Sequence, residues 1–268
     1  MRIPVLPANA GKRWVAEAFA LLRRAIIPLM VVTMCYLLLL MFSTVVPGVG
    51  AFGPLLLTPL LSVGLMHAVR AAADGRQPGA AMLFRGIKDR GGKAWLPLLG
   101  LGVLNAASTV LALGVSALVD GGVLFEIASG AIAPDDPRLT DGSLPLAVLM
   151  FLAVYLPMQM ALWFAPLFVA WHDMPPTKAL FFSFVTLMRN KWPFLVYGLC
   201  WMGVAVAASL VVQIVRLVLG GTPLLMSLVL SPISLIVLTG LYCSFWPGYR
   251  DLVLGAGNEP EAPAQPAA

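Results

Sequence analysis

Residues 25–69 read AIIPLMVVTMCYLLLLMFSTVVPGVGAFGPLLLTPLLSVGLMHAV, 45 consecutive positions without Asp, Glu, Lys or Arg. A helix crossing a bilayer needs about 20 predominantly apolar residues, because the hydrocarbon is about 30 Å thick and each residue rises about 1.5 Å. This stretch therefore suits two spans joined by a tight turn, and Pro47-Gly48-Val49-Gly50 near its middle supplies the turn chemistry. The reading places spans near 25–46 and 51–69. Outward from there, the same criterion finds uncharged runs at Ala94–Val119 and Gly142–His172, and a longer one from Trp192 to Tyr249 broken only by Arg216. The Gly220-Gly221-Thr222-Pro223 sequence divides that last run. Further spans thus fall near 94–119, 144–171, 193–219 and 224–247, which predicts an all-α, six-helix transmembrane bundle in one membrane domain, residues 1–255. Residues 256–268, rich in Pro, Ala and Glu, read as a disordered tail.

Composition agrees with this reading. The 268 residues are 60% hydrophobic and only 11% charged, with a mean hydropathy of +0.93, against about 25% charged for ordinary soluble domains. So few charges cannot coat a water-soluble body of this size, although they can decorate the ends of a bundle whose sides face lipid. Cys35, Cys200 and Cys243 lie in apolar segments with no CxxC spacing, so neither a disulfide framework nor a metal site follows from them.

The bases sort by loop. Fifteen of the 17 fall in the N-terminal segment, the loops after spans two and four, and the C-terminal end; only Arg138 and Arg216 fall on the other side. Short loops rich in Lys and Arg stay in the cytoplasm, so both termini are expected there. The acidic segment Asp120–Gly142 is expected outside, with Val123–Ile127 forming a short surface helix. The bases track membrane-facing ends, which accounts for the net charge of +5 without a nucleic-acid partner.

Three basic-side segments share an order of features. Residues 14–24, 81–90 and 179–191 are each aromatic and apolar, turn basic, and lead into a span through Pro28, Pro97 or Pro193. Each reads as a helix lying in the interface, its aromatic side at headgroup level and its bases in water. The chain therefore reads as three copies of an interfacial helix plus a transmembrane hairpin. Arg23, Arg24, Arg85, Lys88 and Arg189 are the residues placed to meet anionic lipid headgroups.

The block Lys178–Phe184 with Arg189-Asn190-Lys191-Trp192-Pro193-Phe194, preceded by Ala165-Pro166-Leu167, resembles a family of bacterial six-span inner-membrane proteins. So do Trp14, Ala18-Phe19, Leu22-Arg23-Arg24 and Ser62-Val63-Gly64-Leu65-Met66. That family is distantly similar to the membrane domain of bacterial glycerophosphoryl diester phosphodiesterases. The resemblance implies a Gram-negative inner membrane and carries over no functional residue.

The search for chemistry is short. No Walker loop, GxGxxG or HExxH occurs. His172-Asp173 ahead of Met174-Pro175-Pro176 reads as a solvated helix end, since adjacent residues point to different sides of a helix. No enzyme, catalytic residue, metal or cofactor is expected. No Asp, Glu, Lys or Arg falls at a predicted span midpoint, where buried charges usually mark transport. Asn105 and Gln159 do fall near mid-depth, with Gln213 and Arg216 further along span five. They read first as interhelical hydrogen-bonding groups, with a polar pocket between helices as the alternative. Arg216 reads as snorkelling to the interface, with Asp120 or Glu126 as the alternative partner.

Gly198, Gly203, Ala207 and Ala208 offer close-packing surfaces within the bundle or towards a membrane-protein partner or a second copy. Three spans carry internal prolines, Pro59, Pro157 and Pro232, read as shape-fitting kinks. The expected role is a non-enzymatic scaffold, accessory or envelope-maintenance protein in contact with the lipid bilayer. The rival is a facilitator or transporter of a small or amphiphilic solute through the zone around Asn105 and Gln159.

Overall fold

The computed structural model describes residues 3–48, 50–133, 136–140, 142–219 and 222–256; the proposed tail, from residue 257 on, lies outside them. Among the described residues there are helices and no strands. The helices are α1 (Ala10–Arg24), α2 (Ile26–Ser43), α3 (Gly53–Ala73), α4 (Arg85–Gly92), α5 (Trp95–Asp120), α6 (Val123–Ser129), α7 (Leu144–Leu162), α8 (Ala165–Trp171), α9 (Pro176–Arg189), α10 (Lys191–Leu219) and α11 (Pro223–Leu252). Six stretches are long and apolar enough to cross a membrane: α2, α3, α5, α7 with α8, α10 and α11. The chain is an all-α polytopic bundle.

The first span of each hairpin, α2, α5 and α10, carries proline at its third residue. The missing N–H there lies in the first turn, where no intrahelical acceptor exists, so the proline starts the helix without breaking it. The three basic-side segments then dock in a ring. Segment one, α1, packs on α11; segment two, the 3-10 turn Ala80–Phe84 with α4, packs on α3; segment three, α9, packs on α7 and α8. Each therefore rests on the second span of the preceding hairpin, the first following the third.

Small residues permit these contacts. A Cβ on Gly64 would collide with the backbone of Leu83, and one on Gly11 with the Pro193 carbonyl. Gly248 lies against the Trp14 indole. By contrast, Gly198 and Gly203 have open space where a side chain would be, so of the two expectations for this surface these glycines do not meet packing within the bundle and are left free for a membrane-protein partner or a second copy. Those glycines sit on α10, which leans on α1 and α11 and leaves most of its length bare.

The aromatic face of α1 also differs from expectation. Trp14 is 1% exposed, with Val15, Ala18, Leu21 and Leu22 buried beside it. Its ring meets Phe194 and Tyr197, and its Nε1 donates to Asp251 at 3.1 Å. The amphipathic face of α1 thus covers the bundle instead of lying in headgroups, since α10 and α11 offer an apolar and hydrogen-bonding surface that lipid does not. Arg13 pairs with Asp251 at 2.8 Å, which brings the two ends of the described chain to the same end of the bundle.

The fourth span is interrupted, though not at Pro157, where α7 runs on unbroken. The break is at Trp163-Phe164, and two groups cause it. Pro166 has no N–H to give to the Leu162 carbonyl. The Ser183 hydroxyl of α9 inserts into the next helical bond, donating to the Met160 carbonyl at 2.9 Å and accepting from the Phe164 N–H at 3.0 Å. A single wholly buried hydroxyl thereby replaces one backbone hydrogen bond and locks the third segment onto the second hairpin.

Candidate functional site: a polar cavity between the spans

Pro59 cannot donate to the Leu55 carbonyl, so a bare acceptor remains in the first turn of α3. Asn105 on α5 fills it, its Nδ2 donating to Leu55 O at 3.1 Å. The helices come close enough because Gly102, one turn earlier, lies on the Leu56 backbone, where a Cβ would collide. With its amide thus oriented, Asn105 presents Oδ1, which accepts from Gln159 Nε2 of α7 at 3.0 Å. The proline that sequence reading treats as a kink is therefore the origin of a relay joining three spans, Leu55 to Asn105 to Gln159.

The relay forms one wall of a cavity of about 230 Å³. Tyr36, Thr58, Ser62 and Tyr242 add polar atoms to the lining, and it contains no Asp, Glu, Lys or Arg. Tyr36 and Tyr242 meet edge to face at 5.3 Å. Towards the basic end the cavity is bounded by Trp163 and Phe245, stacked at 4.7 Å and 15°. The lining has donors and acceptors for a neutral polar group and no counter-charge for an ion.

The other singled-out residues lie elsewhere. Gln213 faces the separate gap between α10 and α11, beside Ser209 and Ser234. Arg216 is exposed. Its expected partners are engaged locally: Asp120 accepts from the Gly122 and Leu124 N–H groups, capping α6, and Glu126 binds Arg138. Asp136 also holds Arg138, whose hydrogen bonds keep its carboxyl below the usual range. Arg23, Arg24, Arg85, Lys88 and Arg189 are all exposed, and none is in an ion pair among the described residues.

Sequence reading missed a cluster at the basic end. His172 is not a solvated terminus, because Tyr249 of α11 covers it and the two side chains meet at 2.6 Å, Nε2 to Oη. Burial pushes its pKa below the usual histidine value, which favours the neutral ring. His67 binds Asp89 at 2.8 Å and Asp173 pairs with Arg90. Arg70 lies 5.7 Å and 5.6 Å from the Trp171 and Trp246 ring centroids. These partners are 22 to 176 positions apart, and no local spacing announces them. Among the described residues no three His, Cys, Asp or Glu gather as a metal site.

Over 99% of its length the chain is 37% identical to a protein of Burkholderia thailandensis called a probable inner membrane protein, 98% of which is covered. The chain belongs to that family. It is a multi-pass bacterial inner-membrane protein. No family model and no solved structure matches it, and the likeness to the phosphodiesterase membrane domain finds no support in these comparisons.

Proposed function

We propose that this inner-membrane protein is a non-enzymatic binder or facilitator of a small or amphiphilic solute, held in the cavity walled by Asn105 and Gln159. One observation carries the reading. Five of the six spans line a space in which six uncharged polar side chains stand among eight apolar or aromatic ones, where simple interhelical packing would leave apolar contacts alone. This reverses the order of the two sequence-based expectations. In the proposed orientation the basic end, with both termini, faces the cytoplasm, and Arg23, Arg24, Arg85, Lys88 and Arg189 meet anionic headgroups there.

The test is solute flux and solute-dependent thermal stabilisation in proteoliposomes. Gln159→Leu, which is of similar size and removes the polar tip, is expected to weaken both roughly two- to tenfold while the protein stays folded. If Gln159→Leu and Asn105→Ala leave every measured flux and stabilisation unchanged, the cavity reading fails.

A scaffold or accessory role is favoured by a different observation. Only 6% of the most apolar 18-residue stretch of α10 is buried, against 61% for α3. A membrane-protein partner or a second copy seated on α10 is what that role requires, and co-purification from mild detergent tests it.

A further inference from the structure

Five spans line the cavity, and they form an open ring. Going round it, α11 packs on α2, α2 on α3, α3 on α5, and α5 on α7. The fifth pairing, α7 with α11, is not among the substantial helix contacts of the described residues: the two helices face each other across the cavity with little backbone packing. Nor does α10 fill the gap along its length, since it packs on α1 and α11 and meets Trp163 through Phe194 and Tyr197 at the basic end. At the basic end the gap is bridged by the Trp163–Phe245 stack, whereas Gln159, one turn before Trp163, stands half-exposed at mid-span.

We infer that the α7–α11 seam is a lateral entrance from the bilayer, through which a neutral amphiphile with a hydroxyl or carbonyl head inserts that head into the cavity. The inference rests on the solute-binding reading above and adds the route and the ligand class.

Two magnitudes select the class. A cavity of about 230 Å³ is smaller than the roughly 300–1,000 Å³ that encloses a drug-sized ligand, so a lipid cannot be swallowed whole. A ligand whose head is held and whose chain remains in hydrocarbon fits that size and needs the side opening. A charged head would sit in a low-dielectric site with no counter-ion, which costs several kcal/mol. A hydroxyl or carbonyl finds the amide relay of Asn105 and Gln159 and the Tyr36–Tyr242 pair instead. The bare apolar flanks of the seam, such as Leu152 and Leu156 on α7, suit the chain.

The experiment uses the full chain in nanodiscs of phosphatidylethanolamine and phosphatidylglycerol. A long-chain alcohol with a diazirine near its hydroxyl is photolysed in place and the labelled residues are mapped by mass spectrometry. The matching diazirine fatty acid and a short, water-soluble diazirine alcohol are the comparison probes. Labelling by the long-chain alcohol is expected to concentrate at Gln159, Trp163, Tyr242 and Phe245, to exceed that by the fatty acid, and to fall roughly two- to tenfold in Gln159→Leu, the worth of one neutral hydrogen bond. Labelling spread evenly over the lipid faces of α5 and α10 would overturn the inference, as would equal labelling by the fatty acid. If the short alcohol alone labels the cavity, the lateral route falls and the solute-binding reading stands. If no probe reaches the cavity, both fall.

Discussion

The two ends of this bundle are built differently. At the basic end, α1 and α9 pack against the spans, and contacts there are specific: Ser183 inside a helix break, Trp14 on Asp251, His172 on Tyr249. Beyond mid-span, α7 and α10 carry rows of exposed apolar residues, Leu146, Leu149 and Leu152 on one and Val206, Leu210 and Ile214 on the other. The contrast shows which end supplies the fold. Spans alone gain little from meeting each other in lipid, because lipid tails are as apolar as leucine. Helices packed across the ends of the spans supply the steric and polar constraints that fix one arrangement.

This comparison can be broken by substitution. The largest effect is expected from Gly64→Val, which drives a side chain into the Leu83 backbone: a loss of about 3 kcal/mol or more, the upper range for overpacking, read as unfolding in a denaturant titration. Gly198→Val is its control at the loose face and is expected to change stability by less than about 0.5 kcal/mol. If both are equally harmful, the two regions do not differ as described. Ser183→Ala comes next, leaving the buried Phe164 N–H without its acceptor at a cost of about 1–3 kcal/mol.

Acidification sharpens the same contrast. Because burial lowers the His172 pKa in the folded state, the unfolded chain binds the extra proton first as pH falls below about 6.5. Stability from this group is full above that pH and declines below it until the folded-state pKa is reached. Melting temperatures between pH 7.5 and 5.5 are expected to fall for the parent chain and to flatten for His172→Gln. Smallest is Gln159→Leu, which removes one interhelical hydrogen bond worth about 0.6 kcal/mol on average and is expected to spare the melting temperature while weakening ligand binding at the site.

Legibility follows from how far each signal reaches. Span positions depend on local composition, so α5 and α10 begin and end within a few residues of their expected limits. Sidedness of the bases and the recurring segment–hairpin order are local too. The break at Trp163-Phe164 was hidden because its cause is divided between Pro166 and a serine on α9. Pro59 and Asn105 were each visible, but their pairing through Leu55 depends on two helices meeting at Gly102. The small residues of α10 are legible as a packing surface, but whether the neighbour comes from the bundle or from outside it depends on the same kind of meeting, and Gly198 and Gly203 face open space.

Asn190 at the end of α9 is fully buried, donating to the Pro4 carbonyl and accepting from the Leu6 N–H at 2.9 Å. Pro4 and Leu6 thus find their partner only after some 184 more residues have been added, and α1 must also await α11. Until α11 has been made, the amphipathic α1 lacks the protein surface it covers and must be sheltered by lipid headgroups or by an insertion factor. Removing α11 would therefore expose α1.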